Sequence, residues 1–465
     1  MKHIFFALVT LMMVCSCSVY ETFKSPEPKT ANLCGENRTT QDSQGNLPAW
    51  KEVFADSLLQ QLIEKGLTAN TDLQVARLNI EQAEARLLAS KLAYLPSFAV
   101  IPEGSISKGK DGETVKSYSL PLTMQWEADV SGKLRNSKLQ ARAQLLQSSE
   151  YTQMVQVQLI ASIANNYYTL LMLDEQLRIT RQSIQNQKEN LEVIIAMKEA
   201  GMQTEAAVNQ ASAEYYNVQS SEKELVKQIR LVESCMALLI NETPHTITRA
   251  STSEVITANI DYTAPISLLA LANRPDVRQA EYALESSFYG VNIARSAFYP
   301  SISLSGNIGW TNDLGVIANP GSILLSAIGS LTQPLFNKGV NRANLKIAKS
   351  QYEQSLLRFE KALLIAGSEV NDALITCQSS VEKVTLRRQQ LESSLKAYEN
   401  SQDLMQYSSS TYLEVLIAQS TSLQSQLILV ADWFEGIQGQ INLYKALGGG
   451  ANELNMNNNK LKNIK

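Results

Sequence analysis

Histidine is nearly absent: the 465 residues hold two, at positions 3 and 245. Sites built from several imidazoles are thereby excluded. The five cysteines, at 15, 17, 34, 235 and 377, fit neither a zinc spacing nor a disulfide framework. Methionine and histidine form no cluster of the kind that marks a metal conduit. A basic excess is missing too. Lys and Arg number 41 against 45 Asp and Glu, a net charge of -4, so there is no electrostatic footprint for nucleic acid. After the N-terminus no run of 18 apolar residues occurs, which argues against a bundle of membrane-spanning helices. A soluble protein or a membrane β-barrel remains, the barrel having a weak signal per strand. Catalytic signatures are lacking as well. No Gly-rich phosphate loop follows a strand, and neither G-x-S-x-G nor H-E-x-x-H is present. Carboxylates are plentiful but scattered along helix faces, as solvated charges beside a seam are. The sequence therefore reads as a non-enzyme with no catalytic residue, no metal site and no cofactor.

What is present begins with "MKHIFFALVTLMMVCSCS". A basic start at Lys2 and His3 precedes an apolar run from Ile4 to Val14, the form of a secretory signal. Its end places Val14 at -3, Ser16 at -1 and Cys17 where a bacterial lipoprotein is lipidated. Cys15 is the rival, but the Val14 that precedes it is a poor small-residue match; the alternative is an ordinary signal with incidental cysteines. Lipidation by several chains gives stable membrane attachment.

The remainder is written twice. "NTDLQVARLNIEQAEARLLASKLAYLPSF" from Asn70 matches "RPDVRQAEYALESSFYGVNIARSAFYPSI" from Arg274, with Pro96 and Pro300 offset by 204 residues. Each copy reads as a helix stopped by its proline. Downstream, Ile163, Leu170, Leu177, Ile184 and Leu191 recur every seven residues, and so do Val370, Cys377, Val384, Leu391 and Tyr398. Leu374, Val381 and Leu395 add a second heptad position. Sustained heptads are coiled-coil seams, which makes Cys377 a small hydrophobe of the seam. The offset here is 370 - 163 = 207, so three residues enter the second copy after the proline, expected in the strand–strand loop. Helices are expected at about 66–95, 136–200 and 203–240, and again at 275–299, 340–405 and 412–447. At 1.5 Å per residue the long ones run about 100 Å, and the two shorter ones can stack end to end along each.

After each proline the rhythm becomes two. Tyr118, Leu120, Leu122, Met124 and Trp126 alternate with polar residues, as do Ile302, Leu304, Ile308 and Trp310. Their partners, about 97–107 and 322–333, are less regular. Strands near ten residues, apolar on one face and aromatic at the ends, suit a membrane barrel; a soluble sandwich with one solvated face is the rival. Pro121 counts against its strand, since it removes a ladder donor. Four strands cannot close a barrel, and an open edge in lipid is costly, so the chain must oligomerise.

These features resemble the TolC-like outer membrane factors, in the lipoprotein branch of RND-type multidrug efflux. The likeness rests on "LPAWKEVFADSLLQQLIEKGLTANTDLQVA" from Leu47, "LLALANRPDVRQAE" from Leu268, "AFYPSISLSG" from Ala297, "LTQPLF" from Leu331 and "YLEVLIAQ" from Tyr412, and it covers nearly the whole mature chain. It implies a mainly α fold with a membrane β-barrel: a coiled-coil helical barrel, four β-strands per protomer, two internal repeats and a homotrimer. It also implies a belt of mixed structure near 34–65, 241–270 and the C-terminal tail. The layout expected is a signal peptide (1–16), an anchor and strap (17–48), repeat one (49–240), a linker (241–272), repeat two (273–447) and a disordered tail (448–465).

The function implied is a passive exit duct in the outer membrane, extending into the periplasm. An inner-membrane pump of the RND type and a periplasmic adaptor would supply small toxic solutes to it. The alternatives are a protein-secretion duct and a pore-less coiled-coil lipoprotein. By position, Tyr407, Tyr412 and Glu414 are candidates for the periplasmic gate. Two departures bear on this: Ser408 to Ser410 stand where the family often has glycine, and Ile417 where it has a second acid. Gly201, Ala206, Ala207, Ser408, Ser409 and Ser410 are small residues at the helix turns, candidates for docking an adaptor.

Overall fold

The structure is a computed structural model and describes residues 20, 22–26, 39–40, 49–108, 112–250, 266–267, 271–311, 322–406 and 412–450. Cys17 and the tail 451–465 lie outside the described residues. In chain order the elements are β1 (Thr39–Thr40), α1 (Trp50–Val53), α2 (Ser57–Ala69), α3 (Thr71–Leu92), β2 (Ser97–Val100), β3 (Glu103–Lys108), β4 (Thr114–Ala128), α4 (Lys133–Glu199), α5 (Glu205–Leu239), β5 (Ile266–Ser267), α6 (Pro275–Ser296), β6 (Ser301–Thr311), β7 (Ser322–Thr332), α7 (Val340–Gln406) and α8 (Tyr412–Ala446). The repeat is visible in the lengths: 22 residues in α3 and α6, 67 in α4 and α7, 35 in α5 and α8.

The chain divides into two compact units. One holds residues 78–149 and 278–361 together with the N-terminal residues up to 29. Its sheet is antiparallel, ordered β2-β4-β6-β7, with β3 also paired to β4. Register puts Phe98, Met124, Gly306 and Ala327 in one cross-strand row, and Val100, Leu122, Ile308 and Leu325 in the next but one. Leu120, Trp126, Ile302, Leu304, Trp310 and Leu331 share this face. It is uncovered: Ile308 is 49% exposed, Trp310 52% and Leu325 76%. A soluble sandwich would bury such a face under a second layer. The other face is polar, and Ser303 and Ser330 join hydroxyls across it at 2.6 Å. Val115, Pro121 and Ile328 are apolar exceptions there.

Two expectations about the sheet need correction. The first strand is split into β2 and β3 at Ile101 and Pro102, because Pro102 has no N–H to give the ladder; Ile101 N instead reaches Pro121 O at 3.2 Å. Pro121 itself stands inside β4, opposite Gly309. A Cβ at Gly309 would lie 2.3 Å from Leu120 O and 2.5 Å from Pro121 Cα. The glycine is thus what allows β6 to pass a proline. The three extra residues of the second repeat also fall elsewhere than expected. Ser97–Ala128 and Ser301–Thr332 each span 32 residues, so the hairpins are equal; the connection to the long helix is four residues (129–132) in one and seven (333–339) in the other.

The other unit, residues 30–77, 150–277 and 362–465, carries the main core. Leu59, Ile63, Ile160, Ile163, Tyr167, Tyr168, Leu170, Leu171 and Met236 are buried together in it. The expected helix from 66 is interrupted at Asn70. That side chain caps α3 by accepting from Leu73 N at 3.0 Å, and its amide donates to Leu239 O at 2.9 Å, at the end of α5. The second repeat makes the equivalent junction with Arg274. Its guanidinium donates to Ala446 O at the end of α8 (2.7 Å) and pairs with Asp276 (2.8 Å) and Glu369 (2.6 Å). Pro275 then opens α6, where a missing N–H costs nothing. So at both junctions the end of one short helix abuts the start of the other, the stacking expected from the lengths.

The heptad seams hold only in part. Ile163, Leu170, Val370, Leu374 and Cys377 are buried, and burial pushes the Cys377 thiol up to about 11, away from reactivity. Val381 and Leu395 are exposed, because the buried stripe of α7 drifts off them to Ser380 and Ser394. The apolar residues left outside form a ridge of their own. Leu357, Leu364, Ile375 and Leu386 follow one another at 7, 11 and 11 residues, close to whole helical turns.

Two predictions follow from this packing. Gly309→Ala will cut the yield of assembled, heat-modifiable protein in outer-membrane fractions by roughly tenfold or more, since backbone atoms occupy the space for a Cβ. Gly329→Ala, with nothing within 4 Å, will assemble normally. Arg274→Ala strands two carboxylates and a buried carbonyl; it is expected to cost about 3–5 kcal/mol in denaturant titrations of the helical signal, and loss of less than about 1 kcal/mol would refute the junction's importance.

Candidate functional site

The helix turns at 199–211 and 406–419 are the sequence's candidates, and the first is fully described. Gly201 has φ +75, Gly201 N donates to Lys198 O and Met202 N to Met197 O. This is a Schellman close in which the left-handed residue is glycine for backbone reasons. Thr204 then caps α5 by accepting from Ala207 N at 3.2 Å. Lys198 pairs with Glu205 across the turn. Ala206 is exposed, and Met202 beside it is 68% exposed. In the second turn Tyr407, Ser408, Ser409 and Ser410 lie outside the described residues.

Tyr412 is the first residue of α8 and lies inside the protein. It is buried with Ile194 of α4, Ala211 of α5 and Leu416, and Leu191, Met197, Ala207, Val208 and Met405 pack against this cluster. One ring thus draws together α4, α5, α7 and α8. Its hydroxyl is buried and has no hydrogen-bond partner among the described residues. Burial, then the nearby Glu214 and Tyr398, push the phenol up to about 12. Glu414 lies on the outside of the same first turn with Leu413 and Ile417, all three exposed. An acid suits a helix N-terminus. The structure therefore separates the candidates into an inner anchor, Tyr412, and an outer carboxylate, Glu414.

Behind Tyr412 the packing turns polar. Asn190 Nδ2 donates to Gln419 Oε1 at 3.0 Å, and Gln402 Nε2 to Tyr398 Oη at 2.7 Å. Thr180, Ser183, Gln187, Ser422 and Ser425 are all buried nearby in sequence along α4 and α8. Thr180 Oγ1, Gln187 Nε2 and Gln419 Nε2 have no partner among the described residues. The expected heptad positions Ile184 and Leu191 are only half-buried, while Ser183, Gln187 and Ile194 face inward. The spacing of Thr180, Ser183, Gln187, Asn190 and Ile194 by three and four carries the shift, in polar residues rather than apolar ones. An unpaired buried amide costs about 1–3 kcal/mol, so these helices are held less tightly here than in the Leu- and Tyr-rich core around Tyr167.

Among the described residues no group of three His, Cys, Asp or Glu side chains is placed to hold a metal ion, and no helix is long and apolar enough to cross a membrane.

The outer membrane efflux protein family profile matches residues 60–233 and 267–449, the two repeats. The probable outer membrane lipoprotein SilC of Salmonella typhimurium is 25% identical over 437 residues, 93% of this chain and 94% of that protein. The probable efflux pump outer membrane protein TtgC of Pseudomonas putida is 28% identical over 471 residues, 97% of this chain and 96% of that one. Among solved structures, CusC, described for transmembrane channel formation, superposes with a TM-score of 0.83 at 25% identity, covering 93% of this chain and 100% of that one. Family members form trimeric outer-membrane channels in tripartite efflux systems, working with an adaptor and an inner-membrane pump as passive ducts. With both repeats matched and the fold shared over nearly its whole length, this chain belongs to the outer membrane efflux protein family and is an outer-membrane efflux channel that extends into the periplasm.

Proposed function

We propose that three copies of this chain close one barrel and form the exit duct for small toxic solutes that an RND-type pump and its adaptor deliver. The observation that carries this reading is the unfinished sheet. Its apolar face is uncovered, and β7 and the β2/β3 edge offer unpaired backbone groups. Lipid satisfies the face, but only another strand satisfies an edge. The exposed ridge of α7 supplies an apolar seam for the neighbouring copies.

The turn region supports a gate in two layers. Tyr412 ties the four helix ends together, while Glu414 of each copy contributes to an acidic ring that favours cations. The half-polar packing between Thr180 and Ile194 lets the helices part without exposing a large apolar surface. Gly201 and Ala206, with Ser408 and Ser409 of the second turn, serve as the adaptor's docking ground, and the exposed Met202 adds an apolar contact. Cys17 carries the lipid. Tyr20, three residues on, packs beside the strand–helix connection after β4, which favours an anchor at that level. The domain layout at 17–48, 49–240, 241–272 and 273–447 follows the repeat boundaries.

A protein-secretion duct shares the fold, and a pore-less lipoprotein does not need the sheet. Planar-bilayer recording of the purified protein separates these. Discrete current steps are expected, larger in Tyr412→Ala and Glu414→Ala. Tyr412→Phe removes a buried hydroxyl that has no partner among the described residues, so it should close at least as firmly as the parent. Silence from inserted protein would leave the rod; unchanged steps in both alanine variants would put the gate elsewhere. A second check concerns assembly: Leu364→Asp together with Ile375→Asp is expected to shift the purified protein from trimer to monomer by light scattering.

A further inference from the structure

The N-terminal residues 20 and 22–26 belong to the same compact unit as the sheet and are seated on it by two aromatic contacts. Tyr20 Oη donates to Ser131 O at 2.5 Å. The Tyr20 ring lies against Gly132, whose φ is +71 and where a Cβ would come within 2.9 Å of Cε2 and 3.3 Å of Cδ2. Gly132 therefore has two reasons to be glycine: its backbone conformation and the ring above it. Asn136 Nδ2 holds the same Gly132 carbonyl at 2.7 Å, and Asn292 Nδ2 of α6 donates on to Asn136 Oδ1 at 3.1 Å. Three residues beyond Tyr20, the Phe23 ring meets Phe288 of α6, with centroids 5.7 Å apart. Phe288 in turn meets Tyr352 of α7 at 6.1 Å. The segment thus touches α6 and the connection just before α4 directly, and it reaches α7 through one ring.

Placement gives the contact a purpose. Ser131 follows the last residue of β4, Ala128, by three positions, and Ala128 pairs with Ile302 at the start of β6. At this end of the sheet Trp126 also lies, its indole N–H donating to Tyr94 O at 2.9 Å. Amphipathic aromatics of this kind sit at the edge of a membrane. Three residues of chain reach at most about 11 Å. A lipid on Cys17 therefore starts within that distance of Tyr20 and enters the leaflet that borders this edge of the apolar sheet.

We propose that residues 20 and 22–26 belong to an intramolecular strap whose latch is Tyr20 on Ser131 and Gly132, with Phe23 on Phe288 as its second hold. The strap fixes where the lipidated end leaves the fold and braces the first turn of α4 against α6. Tyr20 is a positioning residue: it acts on the anchor through the place it gives to Cys17. The anchor part of this statement rests on the reading of Cys17 above, and the latch part does not.

Lys24 lies between the two holds and Pro26, and is a natural reporter. Limited trypsin digestion of the assembled full-length protein should cut after Lys24 at least about tenfold more slowly than a synthetic peptide of residues 17–29, because cleavage follows the open population. Tyr20→Ala should restore about tenfold faster cutting. Tyr20→Phe keeps the ring on Gly132 and loses the hydroxyl, so its rate should fall between the two. Cys17→Ser should leave the Lys24 rate unchanged. Cutting as fast as the peptide, or equal rates in the parent and Tyr20→Ala, would overturn the latch. Mass spectrometry of the N-terminal fragment reads the anchor separately: an unmodified Cys17 with a protected Lys24 would remove the lipid reading and leave the latch standing.

Discussion

An antiparallel sheet with one uncovered apolar face and two unpaired edges sets the terms for the whole molecule. In water such a face would aggregate, and in lipid such edges would each lose several kcal/mol of backbone hydrogen bonding per group. Among the described residues there is no second layer to cover the face and no further strand for the edges. Lipid and further copies of the chain resolve both at once. The helices are paired and of matched length, and α7 is ridged with apolar residues that its own chain leaves exposed.

The helices show how one sequence serves two demands. Around Tyr167, Leu170 and Met236 the packing is apolar and nearly every large side chain is fully buried. Arg249 secures the segment after α5 there, pairing with Asp174 and with the buried Glu233. Towards the turns the interface becomes one of Ser, Thr, Asn and Gln, some with no partner among the described residues. A tight apolar core resists separation because parting it exposes hydrocarbon; a polar interface parts at lower cost, since water replaces the lost bonds. The difference between these two regions is the physical basis of the gate proposed at the turns.

Glycine and proline carry much of the local geometry, each for a specific reason. Pro96 and Pro300 precede strands, Pro275 opens a helix, and Pro121 sits within a strand only because Gly309 faces it. Gly201 closes a helix in the left-handed conformation, and Gly132 takes that conformation just before α4 while making room for Tyr20. These are positions where a single added methyl group alters the path of the chain, which is why they discriminate the fold better than most core leucines.

The sequence alone determined the repeat, the helix lengths, the period-two strands, the secretory start and the need to oligomerise. All of these follow from local spacing: a proline stops a helix wherever it stands, and alternation with period two puts one face in oil. Tertiary structure decided what depends on neighbours distant in the chain. Asn70 breaks a helix that the pattern continues, because Leu239 O lies within reach of its amide. Tyr412 is an anchor within four helices, Val381 and Leu395 are exposed, and Gln187 and Gln419 are part of the interior. A heptad says that a face is buried, but which of two adjacent faces is buried depends on the twist and crossing of the partner helices. Tyr20 gave no signal at all, since a tyrosine in a short linker has no period, and only the approach of Gly132, 112 residues later, gives it a role.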